Sequence, residues 1–301
     1  VQAIRWMEQH NYNLSYISDV NLHENPGQLL NHKAFISLGH DEYWTKTMRD
    51  GVETARDHGV GLAFMGADAV YWQMRFEPSV TTRTPDRTIV CYKVQTDKND
   101  LARDPMYSRL PAPGKDNTVV TAQWRDPVLN RPENTLIGVM FSDLAHKVQG
   151  VQINGFPWQV SAPANSSLLK GTNLQTGQLY GCGIVGYEWD KVSPPLAGPT
   201  PNGLQIIATS KTINDAGDPD TGNTTYYIAP SGAMVFASGS IYWANALDSY
   251  RLYRDTACAS RQPELAAIQG MNTANTAVPG IQALMTNVMA ELIIKHPKGT
   301  L

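Results

Sequence analysis

Apolar positions change their spacing abruptly around one short stretch of the chain. Phe35 to Leu38 is an apolar or small run of strand length, whereas from Trp44 onward Trp44, Met48, Val52 and Ala55 recur at helical intervals. Between the two lie Gly39, which permits a tight turn, three ionisable side chains (His40, Asp41, Glu42) and Tyr43. A strand that ends in glycine and feeds a helix predicts a βα turn, and in open parallel sheets ligands collect at such turns, outside the carboxyl ends of the strands. The helix start adds unpaired N–H groups and a positive dipole end, for which Asp41 and Glu42 are the expected cap and complement. This turn is the predicted active site.

The same pattern organises the rest of the chain. Residues 1–10 read as a helix ending near His10-Asn11, Leu14–Ile17 as a short strand, and Asp19–Leu30 as a connection containing His23 and Glu24. The helix after the first turn stops at His58-Gly59, where glycine supplies the cap. Val60–Met65 is a second apolar strand, followed by Gly66-Ala67-Asp68 as another βα-type turn into Tyr71-Trp72, so strand, helix and strand imply parallel pairing with a right-handed crossover. From Glu77 to about Pro199 the chain is rich in Pro, Gly, Thr and Asn, with strand-like runs at Thr88–Val94, Leu136–Phe141 and Gln152–Val160. Leu204–Ser210 resumes the earlier style. Thr224–Ala229, a Pro230-Ser231-Gly232 turn and Ala233–Ala237 form a hairpin, closed by a third glycine turn at Gly239. Ile281, Leu284, Met285, Val288, Met289 and Leu292 mark one face of a last helix. The prediction is one α/β domain over 1–301, a mostly parallel sheet core from 1–76 and 201–301 with a β-rich insertion at about 77–200. Tyr43-Trp44, Tyr71-Trp72 and Tyr242-Trp243 each follow a glycine turn; if the strands are neighbours, these aromatics surround one crevice, and otherwise they cap the core.

Composition narrows the function classes. The chain has 301 residues, 42% hydrophobic and 17% charged, with a net charge of -3, which marks a globular protein with a sizeable core. There is no basic block for nucleic acid and no apolar run of membrane-spanning length. Cys91, Cys182 and Cys258 lack zinc-ligand spacing, and either one bridge plus a free thiol or three thiols fits. The counts of 19 Pro, 13 Tyr and 7 Trp suit an extracytoplasmic protein. The chain opens at Val1 inside a helical pattern without a starting Met, which reads as part of a longer or processed chain.

Gly39-His-Asp-Glu-Tyr-Trp44, Gly66-Ala-Asp-Ala-Val-Tyr-Trp72, Trp124-Arg-Asp-Pro127 and Asn130-Arg-Pro-Glu-Asn-Thr-Leu-Ile-Gly-Val-Met140 together resemble the N,N-dimethylformamidase large-subunit family. Gly186-Tyr-Glu-Trp-Asp190 and Ser231–Ser240 are similar to its bacterial branch, whose members are often exported. The resemblance implies a class I glutamine amidotransferase-like (flavodoxin-like) α/β fold and hydrolysis of a small amide-like substrate. It also implies association with an upstream segment, another chain or a second copy. In the characterised amidase a ferric ion is held by two tyrosines and a glutamate. By motif, one tyrosine is Tyr43, while the other falls before Val1. The glutamate falls in Thr118–Trp124, which holds no acidic residue here, so that Glu42 or Glu188 is the substitute.

Such chemistry places demands on the residues. A free phenol loses its proton only near pH ~10, so a phenolate needs a metal beside it, and oxygen ligands suit a hard cation such as Fe3+. Tyr43 and Glu42 are the candidate ligands. His40, Asp68 and Glu188 are the candidates for proton transfer, His40 because imidazole titrates near neutrality and Glu188 because its aromatic neighbours favour desolvation. Equally, His40 fits a structural role in locking the turn. Asp215, Asp218 and Asp220 crowd one Gly-rich loop and are an alternative Ca2+ site, without EF-hand spacing and equally consistent with a solvated turn. No Gly-X-Cys-X-Gly or Gly-X-Ser-X-Gly elbow is present, which argues against thiol or serine acyl transfer. The competing expectation is a catalytically silent relative that binds a ligand or glycan, or serves as a structural assembly module.

Overall fold

The computed structural model describes residues 1–148, 151–152, 155–163, 165–250, 277–294 and 296. Its helices are α1 (Gln2–Gln9), α2 (Asp19–Glu24), α3 (Lys46–Asp57), α4 (Asn134–Ile137) and α5 (Pro279–Leu292). The strands up to the middle of the chain are β1 (Ala34–Leu38), β2 (Tyr43–Thr45), β3 (Gly61–Met65), β4 (Trp72–Glu77), β5 (Thr88–Val90), β6 (Met140–Leu144), β7 (Lys147–Val148) and β8 (Val151–Gln152). They continue with β9 (Phe156–Gln159), β10 (Leu179–Val185), β11 (Glu188–Lys191), β12 (Gln205–Ile213), β13 (Pro219–Ile228) and β14 (Met234–Ala237).

The central sheet has five strands in the order β1-β3-β14-β13-β12. β1, β3 and β14 run parallel, with Leu38 opposite Met65 and Ala237 opposite Phe64. β13 and β12 extend the sheet antiparallel, through the hairpin expected around Pro230-Ser231-Gly232. The sheet is therefore mixed rather than mostly parallel, because a hairpin return from β13 to β14 leaves no crossover helix to impose parallel pairing.

Strand alternation divides the core in two. Leu62, Phe64, Val235 and Ala237 face a cluster with Met48, Val52 and Ala55 of α3. Ala63, Met65, Met234 and Phe236 face α1 and the expected stripe of α5, whose six apolar residues are all buried. Gly61 has no room for a side chain: a Cβ there would lie 2.1 Å from the Leu292 carbonyl oxygen, so strand and helix approach backbone to backbone.

Five expectations need correction. The first glycine turn does not feed the helix directly, because β2 intervenes and pairs parallel with β4, Tyr43 opposite Trp72. The cap of α3 is consequently Thr45, whose hydroxyl accepts from the Met48 N–H at 3.2 Å, and not Asp41 or Glu42. The second glycine turn leads into strand β4 rather than a helix, since Gln73 and Met74 have β2 to pair with. Leu14–Ile17 is extended but in no ladder, and the connection after it holds α2, capped by Ser18. Within Leu136–Phe141, α4 ends at Gly138 (φ 95°) and strand pairing begins only at Met140.

The region 77–200 forms short ladders, β4–β5, β9–β10, β11–β6 and β7–β8. It is not a detachable cover: Phe156, Trp158 and Trp189 are buried in the core with central-sheet residues, and the Trp158 indole donates to Thr224. Cys91 is a free thiol, while Cys258 lies outside the described residues. Among the described residues no helix is long and apolar enough to cross a membrane.

Candidate functional site

The parallel register brings the three glycine turns to one edge of the sheet, where they are sewn together by backbone. Gly39 N–H donates to the Met65 carbonyl, Val70 N–H to Asp41, and Tyr71 and Trp72 N–H both to Glu42. Gly66 is required at this seam, since a Cβ would sit 1.9 Å from the Gly39 carbonyl oxygen. Ser238 joins the third turn to the second by donating its N–H to Phe64 and its hydroxyl to the Gly66 carbonyl. β11 closes the edge from the far region of sequence: Asp190 N–H donates to the Gly239 carbonyl, and Asp190 Oδ1 accepts from the Asp68 N–H at 2.8 Å. Asp68 (φ 54°) and Val70 (φ 56°) hold left-handed backbone conformations, costly for a β-branched residue and maintained here by these bonds.

Four carboxylates result at this edge, Glu42, Asp68, Glu188 and Asp190, only 9, 4, 7 and 2% exposed. His40 stands among them with its side chain 40% exposed. Its Nε2 lies 2.9 Å from Glu42 Oε2 and its Nδ1 3.3 Å from Glu188 Oε2. Asp68 Oδ1 and Glu188 Oε2 are buried and accept no aligned hydrogen bond. One ligand atom each of His40, Asp68 and Glu188 fall within 4.8 Å of one another. Burial, followed by the charges of Glu188, Glu42 and Asp190, pushes the Asp68 carboxyl up to about 10. Burial and then Glu42 and Asp190 push Glu188 up to about 7. Asp190, also raised by burial, reaches about 7 against the opposing pull of the Asp68 N–H and Arg125.

Tyr43 is on the flank of this cluster. Its phenol oxygen accepts from the Lys93 ammonium, and its hydroxyl is hydrogen-bonded to Glu42. Burial raises its pKa in spite of Lys93. One of the two lone pairs of the phenol oxygen is thus already engaged by a cation. Tyr43 is engaged by Lys93 and Glu42 by His40, the partners that a ferric ion held by these two residues would have to displace. Tyr71 accepts at its hydroxyl from Gln123, in the segment where the family's glutamate was sought, and carries the Arg125 guanidinium over its ring. Tyr187 and Tyr242 meet edge to face with ring centroids 5.8 Å apart, and the His40 ring is 6.4 Å from Tyr187, while Trp44 and Trp243 are fully buried and Trp72 nearly so.

The structure thus brings together His40, Glu42, Asp68 and Glu188, with Tyr43 beside Glu42. Asp41 turns away to accept from Ser37 and from the Trp44 indole, and burial raises it to about 6. In the proposed calcium loop Asp220 is engaged by Lys191, Ser142 and the Trp189 indole, while Asp215 accepts from the His146 N–H, so their oxygens serve separate partners. Sequence reading missed Lys93, for which no spacing signal exists. It quoted Arg125 and Glu133 only as motif members, yet they form a buried pair at 3.1 Å beneath Tyr71.

Comparison with known proteins adds two findings. The family model described as N,N-dimethylformamidase beta subunit-like, C-terminal, matches residues 1–258. No curated protein matches the chain.

Proposed function

The chain belongs to the N,N-dimethylformamidase beta subunit-like family, and from that premise we propose that it hydrolyses amide-like C–N bonds at the edge where the three glycine turns meet. The observation that carries this reading is the buried, unpartnered Asp68 Oδ1 together with Glu188 Oε2, whose one neighbour is His40 Nδ1 at 3.3 Å. Amide hydrolysis needs an attacking water held with its lone pair free, and a proton moved from that water to the leaving nitrogen. Asp68 and Glu188 supply the first, since oxygens lacking a donor hold a water by its hydrogens. The His40–Glu42 pair supplies the second, since its ring is partly exposed and open to a substrate. The Arg125–Glu133 pair and Gln123 fix Tyr71 behind them.

A parallel three-strand core with helices on both faces supports the amidotransferase-like fold reading, and a subunit-like family supports association with another chain. The test is amine release from a panel of small amides, N,N-dimethylformamide included, with 18O from labelled water entering the acid product. Glu188→Gln and Asp68→Asn are expected to lower turnover by about 10²-fold or more. Folded protein that turns over no amide while binding a ligand would replace this reading with that of a silent binding relative.

A further inference from the structure

A hydrolytic site at this edge that held only a water would leave its acidic groups poorly balanced. Glu42, Asp68, Glu188 and Asp190 are all buried, and the group standing directly among them, His40, is neutral or singly charged. In a neutral imidazole only one ring nitrogen carries a proton, yet both nitrogens lie against carboxylate oxygens, so one contact sets lone pair against lone pair. Holding all four as anions would be costly, and Asp68 Oδ1 has no donor while Glu188 Oε2 has only the His40 Nδ1 contact at 3.3 Å. The left-handed backbone at Asp68 and Val70 means that the chain is held strained at this same point.

We propose that His40, Asp68 and Glu188 form a divalent-cation site, one nitrogen and two carboxylate oxygens, distinct from the Tyr43 phenol, with Glu42 against the second ring nitrogen as the outer partner. This deepens the hydrolase reading and rests on it only for the cation's purpose. The donor set suits a first-row transition ion such as Zn2+ or Mn2+; Ca2+, which takes six or more oxygens, is poorly served. Three protein ligands leave coordination open, and a cation bound there supplies the acidity that turns a water into a nucleophile near neutral pH. Within the His40–Glu42 pair the roles then separate: His40 holds and orients, and Glu42 carries the proton.

The experiment is calorimetric titration of the whole chain, stripped with chelator, with Zn2+, Mn2+ or Ca2+ at pH 7. One equivalent of Zn2+ or Mn2+ should bind per chain, Ca2+ should not displace either, and melting should shift upward on binding. Asp68→Asn and Glu188→Gln are expected to weaken binding at least about 100-fold, and Glu42→Gln about 10–100-fold as an outer partner. Tyr43→Phe should bind as wild type, and added Fe3+ should give no phenolate absorption band. Asparagine tolerates the backbone at position 68, and the circular dichroism of each variant verifies folding. Absence of saturable binding, unchanged binding by Asp68→Asn, or loss confined to Tyr43→Phe would overturn the site. The two readings fail separately: stoichiometric binding without amide turnover removes the hydrolase and leaves the site, whereas turnover by chelator-stripped enzyme with no binding does the reverse.

Discussion

At the residue scale, the proposed reacting centre is the carboxylate cluster rather than the neighbouring phenol. Tyr43 was the natural candidate, yet its hydroxyl lies between the Lys93 ammonium and Glu42. Tyr43→Phe therefore removes hydrogen bonds of about 1 kcal/mol each and should lower turnover by less than about tenfold. Lys93→Met should move the phenol further upward, because the ammonium opposes the effect of burial; ultraviolet titration of the phenolate would register this. His40, Asp68 and Glu188 could be picked out as candidates because two follow glycine turns and the third lies in an aromatic cluster. Their convergence could not, since position along the chain says nothing of distance between Gly66-Ala67-Asp68 and a strand 120 residues later. Lys93 was hidden altogether: its place at Tyr43 depends on the path taken after β5, which no periodicity encodes.

At the scale of elements, the site depends on two loops sharing backbone bonds. Gly66→Ala would drive a methyl into the Gly39 carbonyl, part β1 from β3 at their carboxyl ends and separate Glu42 from Asp68. Loss of turnover, with a lowered urea midpoint, is the expected result. Thr45→Ala removes the cap of α3 and should cost about 1 kcal/mol in urea unfolding without altering the site. The main strands, the first long helix and the last were legible from apolar spacing. β2 was not, because three residues ahead of a cap carry no pattern of their own and pair only because β4 lies beside them.

For the whole molecule, the β-rich middle contributes both to the core and to the proposed site. It places Trp158 and Trp189 in the core and Glu188 and Asp190 at the proposed site, neither of which its composition discloses. Its stability should depend on acid. Asp104 is buried and accepts from Arg75, the Thr121 N–H and hydroxyl, and the Met106 N–H. These donors hold its carboxyl below the ordinary 3.8 although burial opposes them, and Lys191, Ser142 and Trp189 do the same for Asp220. A depressed folded value means that stabilisation is present above the ordinary value and lost as pH falls through the depressed one. Thermal melting should therefore be flat above pH ~5 from these groups and fall steeply below pH ~4. Asp104→Ala, which leaves Arg75 only Glu77 and the Val119 carbonyl, should cost about 3 kcal/mol at neutral pH and flatten the acid limb.

The most direct measurement of the central claim is amine release by wild type, Glu188→Gln and Tyr43→Phe side by side on the best amide of the panel. The carboxylate cluster as the reacting centre predicts a fall of about 10²-fold or more for Glu188→Gln and less than tenfold for Tyr43→Phe. The reverse order, with the phenol indispensable and Glu188 dispensable, would contradict it.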